Sequence, residues 1–500
     1  MDLSYRLAIA PMNLRFPEKL GQNAKTCLAR VSLKMPQLGN RFAISIRLGA
    51  EKRLATRVII VRHGQSSYNA QKRIQGRSDE SVLTEKGQLD AKTVGKTLSG
   101  LDIDGIFCSP LQRAKSTAEI IQSCFSSPPS LTATPDLLEI DLALWENWYK
   151  KDVIEKFPEE YQCWQKRPQD FKMTIATPEG QKETFPVVDL YHQAQGFWQK
   201  LLSEHQNKTL LIVAHNGINR CLIMSAIGVP VDNYHRIQQS NCNINVLNFT
   251  GNWGDPVQLE SLNQTSHLGI TIPSLRKAET PLRLLLIRHG ETEWNRESRF
   301  QGIRDIPLND NGRGQAKKAA DFLKDIPIDL AISSPMLRPK ETAEIILQYH
   351  PDVTLDLQPD LMEIGHGLWE GKLESEIEAD FPGLLNEWKT SPETVQMPEG
   401  ENLQQVWDRA IACWDERVSY YSALPDKSLG IVVAHDAINK VIVCHLLGLS
   451  PANFWNIKQG NGGVTVIDYP DGPDGVPVLQ AINITTHLGD ILDKTAAGAL

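Results

Sequence analysis

An ordered series of short motifs occurs twice in this chain of 500 residues, and that duplication constrains the fold more tightly than any other feature. Arg62-His63-Gly64 returns as Arg288-His289-Gly290, and Arg73-Ile74-Gln75-Gly76 as Arg299-Phe300-Gln301-Gly302. Ser109-Pro110-Leu111-Gln112-Arg113 matches Ser334-Pro335-Met336-Leu337-Arg338, and Leu138-Glu139-Ile140 matches Met362-Glu363-Ile364. Val213-Ala214-His215 matches Val433-Ala434-His435, and Thr265-Ser266-His267-Leu268-Gly269 matches Thr485-Thr486-His487-Leu488-Gly489. The order is kept and the spacing drifts slowly, which predicts two whole domains, at 55–269 and 282–492. Around them lie a leader (1–54), a linker (270–281) and a tail (493–500).

Each unit alternates strand and helix patterns. An aliphatic run, Val58 to Val61 or Leu284 to Ile287, precedes each Arg-His-Gly and reads as a buried parallel strand. Thr84 is a plausible N-cap for a helix, and Ala114, Thr117, Ala118 and Ile121 keep helical spacing in the next one. The fold class predicted is α/β: two tandem three-layer αβα domains with mostly parallel sheets. Ligands of such sheets bind beyond the carboxyl ends of the strands, where both Arg-His-Gly stretches fall.

Phosphoryl transfer needs an in-line nucleophile, cations around the equatorial oxygens and a proton source for the leaving oxygen. His63 and His289 are the candidate nucleophiles, since an imidazole bonded through one nitrogen presents the other. Arg62, Arg113, Arg288 and Arg338 can supply the cationic charge that a metal would otherwise bring. His215 and His435 each end an apolar strand and, if protonated, would donate to the transferring group. Glu139 and Glu363 are the candidate proton donors. Taken singly, each residue reads equally well as a structural side chain; the ordered set at strand ends carries the weight.

Composition excludes other classes. The formal net charge of −8 disfavours a general nucleic-acid surface, and no apolar run spans a bilayer. The eight cysteines are dispersed, which argues against a zinc site or disulfide framework. No metal or cofactor is implied, and the expected partner is a small phosphorylated metabolite, with oligomeric state open. The leader holds Lys/Arg at 6, 15, 19, 25, 30, 34, 41, 47, 52 and 53 against acids at 2, 18 and 51. That composition fits either an organellar transit peptide or a disordered extension. The expected location is accordingly soluble and cytoplasmic, or the chloroplast stroma if the leader is a transit peptide.

Both units resemble the histidine phosphatase superfamily, also called phosphoglycerate mutase-like. The resemblance rests on Arg62 to Asn69 and Arg288 to Asn295, each an Arg-His-Gly followed by an aromatic-Asn pair. It rests also on the Ser-Pro-x-x-Arg-x-x-x-Thr-Ala helices at Ser109 to Ala118 and Ser334 to Ala343. It implies phosphohistidine at His63 and His289. It implies phosphate pockets of Arg62, Arg113, His215 and Asn69, and of Arg288, Arg338, His435 and Asn295. Gln75 and Gln301 would approach the substrate. The compact spacing between the paired histidines resembles the phosphatase branch, so hydrolysis of a sugar or organic-acid phosphate is expected. A phosphoglycerate mutase is the alternative, and a non-catalytic phosphometabolite-binding module the second. The tandem architecture behind a basic leader is similar to chloroplast phosphatases of 2-carboxyarabinitol 1-phosphate. Unit one departs from the pattern: Asp141 to Asn147 lacks the later glycines of Gly365 to Gly371, and Gln181 stands where unit two has Glu401. In unit two, Ala437 replaces the glycine seen at Gly217.

Overall fold

Among the described residues, twelve of the fourteen strands form one sheet whose order reads the same from either end. In the first half the strands are β1 (Thr56–Arg62), β2 (Gly105–Cys108), β3 (Ser130–Ala133), β6 (Thr209–Ala214), β7 (Ile244–Phe249) and β8 (Val257–Gln264). A separate hairpin, β4 (Met173–Thr177) and β5 (Gly180–Thr184), stands apart from the sheet. The second half supplies β9 (Leu282–Arg288), β10 (Leu330–Ser333), β11 (Leu355–Leu357), β12 (Leu429–Ala434), β13 (Val464–Tyr469) and β14 (Val478–Ile484). The order is β11-β10-β12-β9-β13-β14-β8-β7-β1-β6-β2-β3. The structure is a computed structural model and describes residues 55–178, 180–275, 282–424, 428–489 and 491–495. The leader, the latter part of the linker and the end of the tail lie outside the described residues.

Each half contains four parallel strands, β3-β2-β6-β1 or β11-β10-β12-β9, followed by an antiparallel pair. The aliphatic runs are central strands, buried on both faces, as their uninterrupted apolar sequence requires. Alternate residues face opposite layers. Ile59 and Val61 pack with Leu211, Val213 and Ala91 on one side, while Val58 and Ile60 pack with Leu210, Ile212 and Trp198 on the other.

The halves join through β8 and β14, which pair antiparallel with Leu262 opposite its own counterpart, Ile482. On each side of that point Asn263 Nδ2 donates to the Gln480 carbonyl (2.5 Å) and Asn483 Nδ2 to the Glu260 carbonyl (2.8 Å). The junction is therefore isologous, like that of a two-fold dimer fused into one chain. One layer of core runs unbroken across it: Val58, Ile60 and Trp198 belong to the same apolar cluster as Leu284, Leu286 and Trp414. On the opposite layer each half keeps its own cluster. The described residues of both halves form one compact unit rather than two beads on a linker.

Candidate active sites at the strand ends

The last strand hydrogen bond of β1 is made by His63 itself, whose N–H donates to the Ala214 carbonyl (2.9 Å). The chain then turns away, held by the Gly64 N–H donating to Thr117 Oγ1 (3.1 Å). A Cβ on Gly64 would overlap the carbonyl of Gly87, at the start of helix Glu85–Leu98, so the turn needs glycine for close approach. Thr84 caps that helix, accepting from the Gly87 N–H (3.1 Å). His63 is buried, and its Nδ1 lies 2.7 Å from the Gly64 carbonyl oxygen. A carbonyl only accepts, so Nδ1 carries the proton and Nε2 presents a lone pair. His289 repeats this at 2.7 Å from the Gly290 carbonyl, and Arg338 Nε donates to its Nε2 (3.2 Å). Burial, then Arg113 and Arg62, lowers the His63 pKa well below 6.5; burial, then Arg338 and Arg288, does the same for His289. Both imidazoles are neutral at pH 7, as a nucleophile must be.

Buried guanidiniums surround them. Arg113 Nη1 and Nη2 donate to the carbonyls of Ser78 (2.8 Å) and Gly76 (2.9 Å), and Arg338 does the same to Arg304 (2.9 Å) and Gly302 (2.9 Å). Arg62 Nη1 donates to the Gln239 carbonyl (2.8 Å) and Arg288 Nη1 to that of Gln459 (2.6 Å). Neutral carbonyls fix these side chains without cancelling their charge. Desolvation lowers Arg62 and Arg338 to about 10, still fully charged at neutral pH. The Nε atoms of Arg62, Arg113 and Arg288 are buried without a hydrogen-bond partner, as are both ring nitrogens of His215. Unpaired buried donors on this scale fit an anion with several oxygens.

His215 and His435 sit in extended backbone just before helices Asn216–Ile227 and Asp436–Leu447. Their rings stand edge-on to the first histidines, centroids 5.1 and 5.2 Å apart. Burial, then Arg113 and His63, holds His215 far below 6.5, and burial, then Arg338 and His289, does so for His435. They are therefore neutral, so the protonation on which their role as charged donors was conditional is opposed, first by burial and then by the neighbouring guanidiniums. A neutral imidazole still offers one N–H. His435 Nε2 is 2.9 Å from Ser334 Oγ.

Glu139 and Glu363 are buried beside these groups and act electrostatically on Arg62 and Arg113, and on Arg338, respectively. Burial, then Asp436, raises the Glu363 pKa above its usual range. Asn69, Gln75, Asn295 and Gln301 lie nearby, but their carbonyl oxygens are committed. Asn69 and Asn295 Oδ1 accept from the N–H of Ser66 (3.1 Å) and Thr292 (3.1 Å), and the Gln75 and Gln301 Oε1 atoms accept from the hydroxyls of the same two residues (2.9 and 2.8 Å). Only their amide N–H groups remain for a ligand.

Several residues escaped the sequence. Asn241 and Asn461 donate to the carbonyls of His63 (2.9 Å) and His289 (3.1 Å) from the other side of the sheet order. Asp436 ion-pairs with Arg288 (3.2 Å) and Lys440 (2.8 Å), whereas the first half has Asn216 and Arg220 in those places. The repeat itself carried that signal, in Gln239-Ser240-Asn241 against Gln459-Gly460-Asn461 and in the charge change from Asn216 to Asp436. Among the described residues, no group of three or more His, Cys, Asp or Glu is placed to hold a metal ion, and no helix is long and apolar enough to cross a membrane.

The chain is similar to 2-carboxy-D-arabinitol-1-phosphatase of Triticum aestivum, 34% identical over 452 residues that cover 87% of each protein. Phosphoserine phosphatase 1 of Hydrogenobacter thermophilus is 31% identical over 42% of this chain and 95% of its own length. Among solved structures, phosphoserine phosphatase from Entamoeba histolytica in complex with 3-phosphoglyceric acid matches at 30% identity, covering 41% of this chain and 99% of that one, with TM-score 0.36. The description of the histidine phosphatase superfamily (branch 1) matches twice, at residues 58–263 and 284–485. Those two spans contain both sets of paired histidines and arginines, and the chain belongs to the histidine phosphatase superfamily.

Proposed function

We propose that each half hydrolyses small phosphomonoesters through a phosphohistidine, at His63 and at His289. The observation that carries this reading is a neutral imidazole oriented through Nδ1, its Nε2 lone pair open at His63 and accepting from Arg338 Nε at His289, beside buried guanidiniums of which Arg62, Arg113 and Arg288 keep an unpartnered Nε donor. In the first step the Nε2 lone pair attacks phosphorus. The bond from phosphorus to the ester oxygen breaks, and the leaving oxygen takes the proton of Glu139 or Glu363. In the second, water gives a proton to that carboxylate and attacks phosphorus, the P–N bond breaks, and the imidazole is restored. Arg62, Arg113 and His215, or Arg288, Arg338 and His435, hold the transferring oxygens, with amide N–H groups of Asn69, Gln75, Asn295 and Gln301 at the edge. Fixed arginines do here what a metal would do, so activity is expected to persist in a chelator.

The substrate class is a small phosphorylated metabolite. Similarity to the wheat enzyme over both halves supports a carboxylated sugar phosphate, and the basic leader supports a plastid destination. The test is phosphate release by the wild type, His63→Ala, His289→Ala and the double mutant over sugar phosphates and phosphoglycerates. Partial loss in each single mutant and complete loss in the double mutant is the expected result. Activity surviving in the double mutant would remove both nucleophiles from the mechanism, and isomer formation from 3-phosphoglycerate without free phosphate would favour a mutase.

A further inference from the structure

The two sites differ most at the acid. In the first half both carboxylate oxygens of Glu139 are occupied. Oε2 accepts from the Gly217 N–H (3.0 Å), and Oε1 accepts from the N–H groups of Ile218 (3.1 Å) and Ile140 (2.9 Å). Gly217 and Ile218 open helix Asn216–Ile227, where the backbone N–H groups have no acceptor within the helix and the dipole favours an anion. In the second half Glu363 accepts from the Ile364 N–H alone (3.0 Å), through Oε1. The residues corresponding to Gly217 and Ile218 are Ala437 and Ile438, and neither donates to it.

A steric exchange accounts for the difference. A Cβ on Gly217 would stand 2.5 Å from Glu139 Oε1 and 2.8 Å from the hydroxyl oxygen of Tyr234. The second half carries that Cβ, as Ala437, and the residue matching Tyr234 is Phe454, which has no hydroxyl. The methyl group thus fits only where the hydroxyl is missing and the acid stands off the helix. Gly217 with Tyr234, and Ala437 with Phe454, are coupled positioning pairs.

We infer that the halves divide the labour: the second protonates poor leaving groups, while the first, its acid docked on a helix N-terminus, cleaves alkyl phosphates slowly and relies on esters whose leaving group departs unprotonated. The inference rests on the phosphohistidine reading above. Before Glu139 can present a proton on Oε2 it must loosen its hold on the Gly217 N–H, whereas Glu363 Oε2 carries no backbone donor and keeps only the Ile364 N–H on Oε1.

The test compares two single-site enzymes, His289→Ala (first half working) and His63→Ala (second half working), on p-nitrophenyl phosphate and glycerol 3-phosphate. The quantity is the ratio of kcat/KM for the alkyl ester to that for the aryl ester. It reports phosphoenzyme formation alone, and nitrophenolate leaves without a proton. A general acid contributes roughly 10²- to 10⁴-fold, so the ratio is expected to be at least about tenfold lower in the first half. Adding Gly217→Ala with Tyr234→Phe to the first should raise its ratio, and adding Ala437→Gly with Phe454→Tyr to the second should lower its ratio. A general loss of folding scales both esters together and leaves the ratio in place. Equal ratios in the two single-site enzymes would overturn the inference while leaving the hydrolase reading intact. Failure of both folded enzymes on the aryl ester would overturn the hydrolase reading, and the inference with it.

Discussion

At the residue scale, charge and protonation make the sharpest expectations. His63 and His289 are held well below 6.5, so each nucleophile stays neutral as pH falls through the range where an ordinary histidine would be lost. Glu363 is shifted the other way, so it keeps its proton above the usual carboxyl range and loses it as pH rises through its raised pKa. A kcat/KM profile of the His63→Ala enzyme should therefore show its acid limb below pH 6.5, with the alkaline limb moving when Glu363→Gln removes the titrating acid; a limb at 6.5 would contradict the buried imidazole. The pockets also differ in charge. Arg62, Arg113 and Arg220 lie about Glu139, whereas Arg288 and Lys440 face both Glu363 and Asp436, with Arg338 facing Glu363. Phosphate should inhibit the first half more strongly, and Asp436→Asn should strengthen its inhibition of the second several-fold, read as Ki at fixed ionic strength. The candidate histidines, arginines and acids could be picked out in sequence because their motifs recur in the same order in both halves. The protonation of His215 and His435 could not, because it depends on how many guanidiniums the fold brings around each ring.

At the scale of the element, the loops that present the nucleophiles are held by close backbone approach. A Cβ on Gly312 would overlap the carbonyl oxygen of Glu291, two residues beyond His289. Gly312→Ala should therefore displace the nucleophile loop and lower kcat in the His63→Ala enzyme by an order of magnitude or more, since a misplacement of about 1 Å can cost some 10²-fold. Thr84→Ala removes an N-cap and the hydroxyl that donates to Gln65 Oε1 (3.0 Å), and should cost about 1 kcal/mol of stability with a far smaller effect on kcat than Gly312→Ala, measured by denaturant unfolding and steady-state kinetics. The cap and the helix face of Ala114, Thr117, Ala118 and Ile121 were readable because both depend on spacing along a few residues. The turn after each acid was harder. Where the second half uses Gly371 (φ +83°), the first reaches the same left-handed region with Asn147 (φ +69°), so losing that glycine did not abolish the turn.

At the scale of the molecule, the sheet is a fused two-fold dimer. Its central strands, β8 and β14, present complementary edges, each side's asparagine bonding a carbonyl of the other. A chain of residues 55–275 would expose β8 and the buried Leu259 and Leu262, an edge that complements a copy of itself. It should sediment as a dimer or aggregate, while the intact chain unfolds in one cooperative transition; a soluble, active monomer would show the shared core to be dispensable. Asn263→Ala with Asn483→Ala should lower the midpoint of that transition, each lost hydrogen bond being worth roughly 1 kcal/mol.

From sequence alone came the duplication, the α/β alternation, the position of each candidate group relative to a strand end, and the family. All of these are encoded in local order and repetition, which survive without knowledge of the third dimension. Only the tertiary structure decided that the halves share one sheet and one layer of core, because strand pairing across some 220 residues leaves no local mark on the chain. It also decided what separates the two sites. A glycine and a tyrosine in one half, and an alanine and a phenylalanine in the other, read as neutral drift until the Cβ, the hydroxyl and the carboxylate are seen to compete for the same few ångströms.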